Sequence, residues 1–206
     1  TPCVDGNDPP APERALVRQQ MHACRKRPTD GVPKVWAIGW NALLRITPPM
    51  TSTYQVTLTP APKDEADMRF DPLPPALIAH MQQQRAQVAA LVASAFPTVP
   101  VQWRLLPSTL QRVVDAELID HDDCDGWEAL GVAFGDCLAQ RVPELAWTQV
   151  TDAWGVDAVL RYGEANSIVS AVTLLIKRVE EGQVIEINHL LEALEELIIQ
   201  QALKPS

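Results

Sequence analysis

The sequence predicts an α+β fold in which small antiparallel sheets pack against several amphipathic helices. Apolar residues recur at helical spacing over residues 76–96 and again over residues 188–203. Segments 146–150 and 156–161 have the composition of strands and are separated by a turn in which Gly155 supplies a positive φ. Apolar residues make up 47% and charged residues 21% of 206, which is the balance of a globular chain with one sizeable core or two small domains.

Charge and proline divide the chain near residue 105. Residues 1–105 carry 11 Lys/Arg and 8 Asp/Glu, a net charge of +3, whereas residues 106–206 carry 6 and 18, a net charge of −12. Fifteen of the 18 prolines precede residue 106. We therefore predict a Pro-rich α+β region over residues 1–105 and an acidic α+β domain over residues 106–206. An acidic surface suits a basic partner and disfavours nucleic acid, whose phosphates require a positive surface.

The N-terminal region alternates predicted elements with prolines, which interrupt regular structure. The predicted elements are an irregular segment over 1–12, a helix over 13–27, strands over 35–46 and 54–59, and a loop over 60–75. A short buried helix is the alternative for residues 35–46. No uninterrupted apolar run approaches the roughly 20 residues that a membrane-spanning helix requires.

The C-terminal region has clearer boundaries. We predict that Ser108 caps a helix over residues 109–119 and that Asn166 or Ser167 caps a helix ending at Glu180. Between them, the apolar pattern of residues 126–138 predicts a helix that Pro143 ends. Within this helix, Gly131 and Gly135 are four residues apart, a spacing that lets another backbone approach closely. Gly182 breaks the chain before the last helix.

The acidic loop over residues 120–125 is an incomplete metal site. Aligned as a calcium EF-hand, it places His121 at the first ligand position and Val132 at the last, where carboxylates are needed. His121, Cys124 and Cys137 supply three ligands of the four that a structural zinc site requires. The sequence therefore predicts no metal and no cofactor. A free, buried cysteine that packs as a small apolar side chain is the better explanation of these cysteines.

The residue pattern favours a non-enzymatic role. The chain contains no nucleophile elbow and no phosphate-binding glycine loop. His80 and His189 lie on amphipathic helices, where surface histidines are common. A carboxylate pair for hydrolysis remains an alternative in so acidic a chain, but the spacing selects none. We predict no catalytic residue.

The predicted partner-binding residues lie at turns of the acidic region. They are Asp122, Asp123, Asp125, Asp152 and Trp154. Trp154 follows Asp152 in the hairpin turn, and an exposed tryptophan beside carboxylates suits the anchor of a protein interface. The alternative for the acidic residues is that they only keep the protein soluble. Most of the six tryptophans are expected to lie in the core, with Trp154 as the candidate for exposure.

The residues that carry a family resemblance lie in the last third of the chain. They are residues 130–135, 145–147, 150–152, Gly155, 158–159, 177–178 and 181–182. Together they resemble a bacterial family of domains of unknown function (DUF3806-like), whereas the first 105 residues resemble no family. The resemblance implies a small bacterial accessory protein without assigned catalytic residues. Similar acidic α+β domains recur among immunity proteins that neutralise the toxins of competing bacteria.

The function predicted from the sequence is therefore that of a protein-binding protein, most concretely an immunity protein that masks a basic surface of its toxin. The first alternative is an enzyme or small-ligand binder with a cleft between the two halves. The second is a structural protein of the cell envelope. A disulfide between Cys3 and Cys24 would place the protein in the periplasm, and without it the bacterial cytoplasm is the alternative.

Overall fold

The computed structural model describes residues 68–152, 155–164 and 168–202. Its elements are β1 (Arg69–Asp71), α1 (Pro75–Ala95), a single 3-10 turn (Val101–Trp103), α2 (Pro107–Asp115), α3 (Cys124–Arg141), β2 (Leu145–Asp152), β3 (Gly155–Tyr162), β4 (Ile168–Val169), α4 (Ala171–Glu180) and α5 (Ile187–Ala202). The four strands form an antiparallel sheet in the order β1-β2-β3-β4. The predicted α+β class is confirmed. The helix and strands predicted before residue 60, and the pair Cys3 and Cys24, lie outside the described residues.

The β2–β3 hairpin is the part of the sheet that the sequence predicts best. Its register runs without interruption from Leu145 opposite Tyr162 to Asp152 opposite Gly155. Gly155 has a φ of +140°, a conformation that other residues rarely adopt, so the predicted role of this glycine is confirmed.

Strand β1 lies within the segment that we predicted to be a loop. Its three residues pair with Gln149, Val150 and Thr151 of β2. The hydroxyl of Thr148 also donates a hydrogen bond to the Asp71 carbonyl at 2.8 Å. A three-residue strand carries too little alternation to be recognised in the sequence, and here a neighbouring strand supplies its hydrogen-bond partners.

Two predicted helix caps are wrong. Helix α2 begins at Pro107, and no side chain caps it. Proline at the first helical position has no N–H group to leave unpaired, so Ser108 is not needed as a cap. Helix α4 begins at Ala171, after strand β4, whereas Asn166 and Ser167 lie outside the described residues. Helix α2 also ends earlier than predicted, because Glu117 turns the chain with a φ of 49°.

Helix α3 is the centre of the core. Every residue from Ala129 to Gly135 is buried, including Leu130 and Phe134, which have no exposed surface. A Cβ atom on Gly131 would lie 2.5 Å from the Val172 carbonyl oxygen, and one on Gly135 would overlap the Trp147 ring. The two glycines therefore let α4 and β2 approach α3 closely, as their spacing predicts.

The carboxylate of Asp136 joins three elements around this core. Arg85 of α1 donates to it from Nε at 2.6 Å and from a terminal nitrogen at 2.8 Å. The Trp147 indole N–H of β2 donates to the same carboxylate at 2.9 Å. The carboxylate lowers the free energy of the charged guanidinium, which raises the pKa of Arg85. Charge-assisted bidentate pairs fix geometry, so Asp136 sets how α1 and β2 lie on α3.

Residues on both sides of position 105 share one core. Val88 and Val92 of α1 belong to the same buried cluster as Leu110 of α2 and Leu130 of α3. The division at residue 105 separates regions of different charge, and as a domain boundary it stays a prediction. Within the part of the chain that the structure describes, no helix is long and apolar enough to cross a membrane.

Candidate partner-binding surface

Three chain segments meet at the end of the molecule where α3 begins. Helix α3 has 18 residues and strand β2 has 8, so each spans about 26 Å and β2 returns to the level of the α3 start. Helix α4 runs back toward the start of α3, because Ala171 at its beginning lies against Gly131 and Gly135, whereas the Val179 carbonyl near its end contacts His121. The start of α3, the β2–β3 turn and the end of α4 consequently lie together.

These segments bring carboxylates to one surface, which we name the acidic end. Its members are Asp120, Asp122, Asp123 and Asp125 from the α2–α3 connection, Asp152 and Asp157 from the hairpin, and Glu180 and Glu181 from the end of α4. Asp152 is half-buried and the other seven are exposed. Of the described residues after 105, fourteen Asp and Glu are exposed, whereas Arg112 is the only exposed Lys or Arg. The guanidinium carbon of Arg112 lies 4.0 Å from the centre of the Phe96 ring. The negative net charge of this region therefore lies on its surface.

Backbone contacts hold the α2–α3 connection in place. The Trp127 indole N–H donates to the Asp120 carbonyl at 3.0 Å, and Asp123 accepts the N–H of Gly126 at 3.0 Å as the cap of α3. Nε2 of His121 lies 3.0 Å from the Val179 carbonyl oxygen of α4, and Nδ1 lies 3.2 Å from the Asp122 carboxylate. The carboxylates that this connection exposes are thus presented from a fixed loop.

Glu128 lies among these carboxylates, one turn into α3. Burial raises the pKa of Glu128, and together with the charges of Asp125 and Asp157 it brings the pKa to about 7. The sensitivity of Glu128 to both Asp125 and Asp157 shows that the α3 start and the hairpin approach each other here.

Two half-buried basic groups lie near the same carboxylates. Burial lowers the pKa of His80 in α1, and the charge of Asp125 partly opposes this shift. Burial likewise lowers the pKa of Lys177 in α4, against the charges of Asp157, Glu180 and Glu181. In both groups the neighbouring carboxylates favour the charged form and so oppose the effect of burial on the pKa.

The structure brings most of the predicted partner-binding residues to this end. Asp122 and Asp125 are exposed, and Asp123 is exposed although its carboxylate caps α3. Asp152 accepts the N–H of Gly155 at 3.1 Å, so part of its hydrogen-bonding capacity serves the turn. Trp154 lies outside the described residues. A role of these residues in binding stays a prediction.

Several residues of the acidic end were not identified from the sequence. They are Asp120, Asp157, Glu180 and Glu181, together with the half-buried Glu128. The acidic composition of the region was visible, but its positions are far apart in the chain and become neighbours only through the packing of α4 and β3 on α3. Glu128 had one local signal, a carboxylate inside an apolar helical run.

The tryptophans divide between the core and the surface. Trp127 is 7% exposed and Trp147 packs between α3 and the sheet, as predicted for core residues. Trp103, which follows α1, is 53% exposed. Trp103 is therefore an exception to the expectation that most tryptophans lie in the core, because the short turn between α1 and α2 leaves it at the surface.

The residues considered as zinc or calcium ligands in the sequence do not gather into a site within the described part of the chain. Among residues 68–152, 155–164 and 168–202, no group of three or more His, Cys, Asp or Glu side chains is placed to hold a metal ion. Cys137 is a free, buried cysteine whose thiol donates to the Leu105 carbonyl at 3.1 Å. Burial raises the pKa of this thiol to about 12, so it packs as a neutral side chain and is a poor nucleophile.

Comparison with known proteins supports the resemblance seen in the sequence. The family described as "Domain of unknown function (DUF3806)" matches residues 107–190, and the N-terminal part matches no family. The match begins earlier than the predicted likeness and includes the whole acidic end. No curated protein matches the chain.

A similar fold occurs in a solved structure. It is a crystal structure of a protein from Bacteroides thetaiotaomicron VPI-5482, with a TM-score of 0.54 and 20% sequence identity. The alignment covers 66% of this chain and 51% of the other, so the chain spans about half the length of that protein. At this identity, the likeness concerns the fold alone.

Proposed function

We propose that this protein is a non-enzymatic protein-binding protein, and most concretely a bacterial immunity protein that neutralises a toxin by masking a basic surface. The observation that carries the proposal is the convergence of seven exposed carboxylates at the acidic end. A surface of one sign steers a partner of opposite sign and accelerates association, most strongly at low ionic strength.

The shape of the acidic end also supports binding. Its loop is held by the Asp123 cap and by the contacts of His121 and Trp127, so little backbone ordering is required when a partner docks. The burial of Glu128 beneath the exposed acids provides an additional negative charge when this group ionises. A basic partner would favour that ionisation, because an opposite charge lowers the pKa of a carboxyl group.

The same Glu128 is the one observation that favours the enzymatic alternative. A carboxyl group with a pKa of about 7 is typical of acid–base catalysis, and the two aspartates that act on it also act on a histidine and a lysine of lowered pKa. The two functions differ in what they require. Binding depends on the exposed carboxylates, whereas catalysis would depend on Glu128 itself.

Coexpression with the product of a neighbouring toxin gene tests the proposal. We expect the two proteins to copurify and the host cells to survive. The double variant Asp122→Lys/Asp125→Lys should weaken association by at least roughly tenfold, mainly through a slower association rate. Absence of both copurification and protection would overturn the immunity proposal.

A charge-matched control distinguishes the effect of where the substitutions lie from the effect of the change in net charge. Glu164 and Glu196 are exposed acids away from the acidic end, and Glu164→Lys/Glu196→Lys changes the net charge by the same amount. This control should bind like the wild type. Equal weakening by both double variants would instead indicate a nonspecific effect of net charge. Retention of protection by Glu128→Gln would argue against the enzymatic alternative.

A further inference from the structure

A cleft of about 480 Å³ opens between α2 and the beginning of α5, next to the acidic end. Asp115 lines it from α2, Glu186 from the residue before α5, and Glu192 from the second turn of α5. Val184 and Ile185, in the α4–α5 connection, form an apolar part of the lining. Val184 is 82% exposed, whereas Ile185 is buried. The volume is within the range of small-ligand sites, roughly 300–1,000 Å³.

Gln111 holds this cleft together. Its amide nitrogen donates to the Asp115 carboxylate at 2.7 Å and to the Ile185 carbonyl at 3.1 Å. Its amide oxygen accepts the N–H of Ile187, in the first turn of α5, at 2.7 Å. The Gln111 side chain therefore orients the Asp115 carboxylate and occupies a donor at the start of α5. The other polar side chains that line the cleft are Glu186, Asn188, His189 and Glu192.

We propose that this cleft receives the guanidinium group of an arginine side chain from a basic protein partner. The inference rests on the proposed function and names the chemistry of one contact in it. Three of the lining residues are exposed carboxylates, and none is Lys or Arg, so the charge of the cleft complements a cation. A planar guanidinium can make two parallel hydrogen bonds to a carboxylate, and its aliphatic stem packs on apolar side chains such as Val184.

The position of the cleft supports the same occupant. The α4–α5 connection links Glu181 of the acidic end to Glu186 of the cleft. Gln183 anchors this connection, because its N–H donates to the Arg178 carbonyl at 2.8 Å. A basic surface attracted by the acidic end would thus have a concave carboxylate site beside it for one projecting side chain.

NMR titration of the full chain tests the inference with a defined probe. The probe is N-acetyl-arginine methylamide, and the control is its citrulline analogue, which has nearly the same shape without the charge. We expect the arginine compound to shift the resonances of Val184, Ile185 and His189, and to bind at least roughly tenfold more tightly than the citrulline compound. Equal binding of the two, or shifts confined to other surfaces, would overturn the inference.

Matched variants locate the contact. Asp115→Asn and Glu192→Gln should each weaken binding of the arginine compound by about two- to fivefold, the effect of an exposed ion pair. Glu196→Gln, one turn further along α5 and outside the cleft lining, should leave binding unchanged. Equal effects of Glu192→Gln and Glu196→Gln would show that the cleft is not the site.

The toxin complex distinguishes failure of this inference from failure of the proposed function. If Asp122→Lys/Asp125→Lys abolishes protection while Asp115→Asn/Glu192→Gln leaves affinity unchanged, the protein binds a basic partner without using the cleft. If no toxin is bound but the arginine compound still occupies the cleft, the cation site stands and the immunity function does not.

Discussion

The middle of α3 and its N-terminal end differ in their surroundings. The polar and small residues in the middle contact other elements of the protein, whereas the carboxylates at the N-terminal end face the surface. In the middle, Asp136 is paired with Arg85 and Trp147, and Gly131 and Gly135 lie against neighbouring elements. At the beginning of the helix, the carboxylates are exposed and only one of them caps the helix. Substitutions in the middle should therefore affect stability, whereas most substitutions at the acidic end should affect binding and leave the fold intact.

The largest effect is expected for Gly131→Ala. The new Cβ would meet the backbone of α4 at 2.5 Å, and a backbone cannot move aside as a flexible side chain can. We expect a loss of about 2–4 kcal/mol in the free energy of unfolding, measured by urea denaturation. Ala90→Gly in the exposed face of α1 is the control, at about 1 kcal/mol. A Gly131→Ala protein as stable as the wild type would show that α4 is not packed this closely.

A smaller effect is expected for Asp136→Ala. It leaves the half-buried Arg85 guanidinium and the Trp147 N–H without their carboxylate. Unfolding measurements should show a loss of roughly 1.5–3 kcal/mol. In a double-mutant cycle, Arg85→Ala should cost much less once Asp136 is absent. Additive effects of the two substitutions would contradict the pairing.

Glu128→Gln should stabilise the protein in a pH-dependent manner. The folded state raises the pKa of Glu128 from 4.5 to about 7, so the wild type loses stability as the pH rises through this interval. The variant cannot ionise and avoids that loss. At pH 8 we expect it to be more stable by roughly 1–3 kcal/mol, after allowance for solvent screening, with the difference vanishing below pH 4.5.

Urea denaturation at several pH values measures this effect. Glu196→Gln, at an exposed position, is the control and should show no comparable dependence on pH. A stability difference for Glu128→Gln that stays constant from pH 4.5 to pH 8 would contradict the burial of an ionisable group in this cluster.

The smallest change in the free energy of unfolding is expected for two neighbouring carboxylates of the acidic end. Asp123→Ala removes the cap of α3 and should cost about 1 kcal/mol in the free energy of unfolding. Asp122→Ala removes an exposed carboxylate and should change stability by less than about 0.5 kcal/mol. Thermal or urea unfolding of both variants measures this difference. Equal losses of stability in the two variants would show that Asp123 does not act as a cap.

Much of the secondary structure follows from the sequence because its signals are local. The helical spacing of apolar residues predicts α1, α3 and α5 to within a few residues of their observed ends. The hairpin follows from two strand-forming segments and Gly155. The two caps were wrong because proline can begin a helix without a capping side chain, and because the short strand β4 delays the start of α4.

The sequence by itself determined the acidic character of the C-terminal region, the hairpin and the close approach at Gly131 and Gly135. Only the tertiary structure decided which acidic residues are neighbours. The antiparallel packing of α4 and the return of β2 along α3 bring Glu180 and Asp157 to the start of that helix. Burial at this meeting point raises the pKa of Glu128. Such an environment depends on contacts between distant parts of the chain, which neither periodicity nor composition can specify.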